Sequence, residues 1–65
     1  MTNMTAPQRE KLELLCARYD VTFTESDYLV YSQDSSMMPG WAEGWIGGSP
    51  GTLYVGVSPE GDSHS

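Results

Sequence analysis

At Asp20 the hydrophobic period of this 65-residue chain changes from about 3.6 to about 2 and does not change back. The first part must therefore be one helix, and the rest must be strands joined by turns. Thr5-Ala6-Pro7-Gln8 opens the helix as a capping box. Thr5 accepts from the Gln8 backbone N–H, and the Gln8 side chain reaches back. Pro7 sits in the first turn, where a missing N–H costs nothing. Strong helix formers without Gly or Pro then run to about Arg18, which predicts a helix over residues 6–18. Leu12, Leu15, Cys16 and Tyr19 recur at i, i+3, i+4 and i+7 and form one apolar stripe. Leu14 and Ala17 fall outside it, and Leu14 is either a lone exposed apolar residue or part of a second contact surface.

From Val21 to Thr24 the residues are β-branched or aromatic, and the chain turns extended. Thr24 to Asp27 is polar and suits a short turn, and Tyr28-Leu29-Val30-Tyr31 is the first convincing strand. Asp34 to Pro39 reads as a loop with Met37 and Met38 as flexible apolar plugs. Residues 41–46 and 52–57 are alternating runs flanking Gly47-Gly48-Ser49-Pro50-Gly51, a hairpin signal with its turn at 47–51. Ser58-Pro59-Glu60-Gly61 makes a further turn. The expected fold class is α+β: one N-terminal helix packed on a three-stranded antiparallel β-meander. It forms a single small domain over residues 1–65, with 1–4 and 62–65 frayed.

So short a chain buries only about 60% of its unfolded surface, so its core is marginal. Cys16 is the only cysteine, which excludes an internal disulfide, and no Cys/His set exists for a structural zinc. Good packing or self-association remains, which keeps a homodimer open. Hydrophobic residues at 38% and aromatics at 11% argue for a folded domain. The first twenty residues carry charges and lack the apolar run of a signal peptide, and no window approaches the ~20 apolar residues of a membrane span. With a single free thiol, the expected location is the cytoplasm.

Two registers of the last hairpin bury different things. Period two sets Trp41, Glu43 and Trp45 on one face and Ala42, Gly44 and Ile46 on the other. In one register both tryptophans join Leu53, Val55 and Val57 in the core and drag Glu43 inside. In the other, Ala42, Ile46 and the three aliphatics face the helix, and Trp41, Trp45 and Tyr54 form an aromatic patch with Glu43 in solvent. The second is favoured, because an unpaired buried carboxylate is costly and no Lys or Arg lies outside the helical stretch. Gly44 opposite Val55 would also leave room for a close-lying helix. The reading that both tryptophans are simply core stays open. The candidate interaction residues are Trp41, Glu43, Trp45 and Tyr54.

Charge narrows the partners. Arg9, Lys11 and Arg18 are the only basic residues, and seven of the nine carboxylates follow them. That surface repels nucleic acid and anionic membrane and attracts a basic protein partner. Catalytic groups are scarce. His64 is the only histidine and lies at the end of the sequence given; Cys16 falls on the apolar stripe, where a buried inert thiol is the ordinary state. Asp20, Glu25, Asp27 and Asp34 lack the spacing of a calcium loop and read as solvated loop carboxylates. The glycines at 47–51 precede no Lys and no helix, so they read as a turn rather than a phosphate cradle. No catalytic residue, cofactor site or metal site is expected. The α-β-β-β order is similar to the start of a double-stranded-RNA-binding domain, but its second helix and basic residues are missing.

Leu15-Cys16-Ala17-Arg18-Tyr19, Gly44-Trp45-Ile46-Gly47-Gly48 and the stretch from Leu53 to Gly61 cover about a third of the chain. Together they resemble small uncharacterised accessory proteins of actinobacterial bacteriophages. The resemblance implies a phage protein made in the host cytoplasm that binds and redirects a host protein, and it transfers no site residue. The expected function is thus a non-enzymatic, acidic protein–protein interaction module, a phage-encoded binder or modulator of a host protein. The alternatives are a self-assembling structural subunit, for example of a virion, and a nucleic-acid mimic that blocks a basic site.

Overall fold

The computed structural model describes residues 3–48 and 50–64. Helix α1 spans Ala6–Arg18, and four strands follow: β1 Tyr28–Val30, β2 Ala42–Ile46, β3 Leu53–Val57 and β4 Ser63–His64. They form one antiparallel sheet in the order β1-β2-β3-β4, with α1 packed against β2 and β3. The α+β class holds, and the sheet has four strands rather than three. Ser58 makes the difference. Its hydroxyl accepts the Asp62 N–H at 3.0 Å, its N–H donates to the Asp62 carbonyl at 2.8 Å, and Gly61 turns at φ 94°. The chain thus doubles back, and residues 63 and 64 pair with Val57 and Gly56 instead of fraying. Of the residues 1–4 expected to fray, Met4 is buried in the core. Residues 1 and 2 lie outside the described residues, as do Ser65 and Ser49 of the expected 47–51 turn.

The capping box forms as the sequence dictates, with Thr5 Oγ accepting from Gln8 N at 3.2 Å and Gln8 Oε1 accepting from Thr5 N at 2.9 Å. Gln8 has a second task. Its side chain is 0% exposed, and its Nε2 donates to the carbonyls of Gly40 and Val57. One buried amide thus ties α1 to the chain entering β2 and to the end of β3. The helix stops in a Schellman turn: Val21 N donates to Cys16 O at 2.8 Å and Asp20 N to Ala17 O at 3.2 Å. Asp20 supplies the left-handed residue at φ 63°, a position that usually favours glycine. Tyr19 is therefore the cap residue rather than the last member of the stripe, and it lies exposed.

The core gathers Leu12, Leu15 and Cys16 from α1 with Tyr28, Ala42, Ile46, Val55 and Val57 from the sheet. Val21, Phe23, Val30 and Leu53 pack around it, and the Phe23 ring stacks on Tyr28 at 5.8 Å between centroids. Gly44 pairs with Val55 as expected, but the helix does not fill the space it leaves. A Cβ there would lie 2.6 Å from the Tyr28 ring and 2.6 Å from the Asp27 carbonyl, so Tyr28 crosses over the glycine. Met37 is 86% exposed and plugs nothing, whereas Met38 folds over the sheet.

Candidate functional site: the open face of the sheet

Because β2 buries Ala42, Gly44 and Ile46 under the helix, its alternate residues face the other way. The register Trp45↔Tyr54 and Glu43↔Gly56 puts Trp45, Glu43 and Tyr54 on that open face. Trp41, just before β2, joins them, so all four candidate residues share one surface. Trp45 and Tyr54 meet edge to face, 5.4 Å between centroids with ring planes at 69°. Trp41 lies over Gly56, where an added Cβ would be 3.6 Å from its Cε3, with the Met38 methyl beside it at 3.8 Å. Its ring also packs on His64 of β4 at 5.3 Å. The two tryptophans therefore differ: Trp41 clamps the last strand, and Trp45 stands with Tyr54 near the β2–β3 connection.

Glu43 occupies the middle of this surface. Tyr31 donates its hydroxyl to Glu43 Oε1 at 2.6 Å, a short charge-assisted bond. That bond, with the nearby negative charge, raises the Tyr31 pKa above its ordinary value of 10.0. Hydrogen bonding to the same carboxylate raises Tyr54 as well. Glu43 is half-buried, and the ion pair found among the described residues is Arg9–Glu25 at 2.7 Å, between α1 and the turn before β1. Leu29, directly opposite Glu43 on β1, adds an apolar side chain that is 59% exposed.

Tyr31, Leu29, Met38 and His64 belong to this face and escaped the sequence reading. Period two from Leu29 to Tyr31 signals that those two share a face. Nothing local to Met38 or His64 signals their places.

The opposite side holds a different pair. Cys16 is buried with its Sγ 3.4 Å from the Tyr28 hydroxyl. Burial first, then the bond to Cys16, pushes the Tyr28 pKa well up. Among the described residues no group of three or more His, Cys, Asp or Glu gathers as a metal site, and no helix is long and apolar enough to cross a membrane. Comparison with protein-family models, with curated proteins and with solved structures gives no match to this chain.

Proposed function

We propose that the chain is a non-enzymatic protein–protein interaction module, a phage-encoded binder or modulator of a host protein acting in the cytoplasm. The observation that carries this reading is the aromatic open face around Glu43. The solvent side of an antiparallel sheet is ordinarily polar, yet here it carries the half-buried Trp41, Trp45 and Tyr31 beside the exposed Tyr54 and Leu29. Aromatic residues grouped on a surface are the usual anchors of interfaces. A net charge of −6 adds attraction toward a basic partner. A nucleic-acid mimic would need its carboxylates on one side. Glu25 is paired to the helix through Arg9, whereas Glu43 lies on the far face of the sheet, which disfavours that reading.

The test uses immobilised wild-type chain beside Trp45→Ala, chosen because Trp41 also holds β4. Loss of a hot-spot tryptophan costs on the order of 2 kcal/mol, so the variant should bind its host protein about 30-fold more weakly. Leu14→Ala, on the exposed helix face, should bind as wild type does. Equal binding by all three would refute the reading. The rival self-assembling subunit draws on the outer side of β1, an edge strand of the sheet, and a large homo-assembly persisting at nanomolar dilution would favour it.

A further inference from the structure

Glu43 is an expensive residue to place among aromatic rings unless something answers its charge. It is half-buried at the centre of the face, and its neighbours across the sheet are Leu29 and Gly56, neither of which can pair with it. Beyond Arg18 the chain has no Lys or Arg, and Arg9 is engaged by Glu25. The Tyr31 hydroxyl fixes the carboxylate in place, yet a carboxylate has about four acceptor sites, and the Tyr31 phenol uses one of them. On one side of it the Trp45 and Tyr54 rings stand at 69° to each other, giving two differently oriented aromatic surfaces beside one anion.

We propose that this face receives a guanidinium group of the protein partner, with Glu43 as its counter-ion and the Trp45 and Tyr54 rings as its stacking surface. The proposal rests on the interaction reading above and names the chemistry of the partner. A guanidinium is planar, so it can bond a carboxylate in a bidentate manner and lie against an aromatic ring at the same time. Its weaker hydration makes it easier to desolvate than an ammonium, and cation–π attraction strengthens as water leaves. Tyr31 pre-orients the anion before the partner arrives, so little side-chain entropy remains to be lost on docking. The excess of negative charge over the whole chain steers a cation toward it and an anionic ligand away.

The test titrates 15N-labelled full chain with acetyl-Gly-Arg-Gly-amide and follows the indole N–H signals. Citrulline and lysine versions of the peptide serve as comparisons. The arginine peptide should move the Trp45 indole and the Glu43 amide with a dissociation constant in the millimolar range. Citrulline, which keeps the shape and removes the charge, should bind at least about tenfold more weakly, as should arginine to Glu43→Gln. Lysine should fall between. The wild-type comparison of arginine with citrulline stands even if Glu43→Gln disturbs the sheet. Equal affinity for arginine and citrulline would overturn the proposal, as would shifts confined to the helix carboxylates Glu10 and Glu13. A host protein lost by Trp45→Ala but retained by Glu43→Gln would leave the interaction module standing and remove the guanidinium. Self-association abolished by Glu43→Gln would assign the site to a second copy, through its Lys11 or Arg18, and would overturn a foreign partner.

Discussion

Replacing Gln8 by Leu should unfold much of what this chain has to spare. The substitution puts an apolar side chain of similar size in its place and deletes every hydrogen bond the amide makes. Three are lost: the acceptor for Thr5 N, and the donors to Gly40 O and Val57 O, carbonyls 32 and 49 residues away in sequence. Thr5 lies near the surface, and water can replace its partner. The two carbonyls face a side chain that is fully buried, so water cannot reach them without opening the helix–sheet seam. A buried acceptor left alone costs about 1–3 kcal/mol, so two cost roughly 2–6 kcal/mol. Burial of the new leucine returns about 1.5–3 kcal/mol of that, and loss of the reciprocal cap adds about 1 kcal/mol. The terms combine to a net loss centred on about 3 kcal/mol, against roughly 3–10 kcal/mol for a whole domain of this size. Urea unfolding followed by tryptophan fluorescence and by far-UV circular dichroism would read it. At an m-value of about 1 kcal/mol/M the midpoint should fall by about 3 M. Thr5→Ala is the control, since it removes the cap and the 2.7 Å bond to Pro59 O but leaves Gln8 on its two distant carbonyls. A Gln8→Leu loss no larger than that of Thr5→Ala would refute the reasoning. It would mean that the amide matters as a cap and not as a tie.

Two further outcomes follow from local geometry. Asp20→Gly should raise stability by about 0.5–1 kcal/mol, or a few degrees in melting temperature, because the residue sits at φ 63° where a Cβ is unwelcome; a thermal scan showing a lower midpoint would contradict this. In base, Tyr28, Tyr31 and Tyr54 all keep their protons above the ordinary value of 10.0. The unfolded chain then binds fewer protons than the native one, so their contribution is complete below pH 10 and drains away as the pH rises beyond it. Tyrosinate absorbance should lag that of a tyrosine model peptide until circular dichroism reports unfolding, and simultaneous titration in the intact fold would refute the assignment.

The helix was legible because its signals are local: a cap three residues from its partner, a proline in the first turn and an apolar stripe. The same locality hides the second task of Gln8, whose acceptors come from elements that meet only after folding. The hairpin register could be read only through an energetic argument about Glu43; the register matches it, but the carboxylate is half-buried under the Tyr31 bond rather than in solvent. The argument about Gly44 found the right vacancy and the wrong occupant. Sequence pattern shows that a glycine leaves space, and only the β1–β2 pairing Tyr28↔Gly44 says that an aromatic ring fills it. Strand β4 has two residues, too few to show any period, and its anchor is the Trp41 ring some twenty residues earlier.

One helix can cover only one face of a four-stranded sheet, and the polar ties that fasten the helix lie on that covered side. Gln8, the Schellman turn at Asp20 and the Thr5 bond to Pro59 all fasten α1 to the strands or to their connections. The uncovered side needs nothing from the helix, and lysine or threonine there would suffice for a sheet that only met water. Four of the seven aromatic residues, Tyr31, Trp41, Trp45 and Tyr54, stand on it instead. Fold stability accounts for one of them in part, since Trp41 shields Gly56 and holds His64. The positions of Trp45 and Tyr54 close no gap in the core, and Glu43 adds a charge that no cation neutralises among the described residues. The buried core lies under the helix, whereas Trp45, Tyr54 and Glu43 share the uncovered surface. That separation is what lets Trp45→Ala and Gln8→Leu be read as independent experiments, one on binding and the other on the fold.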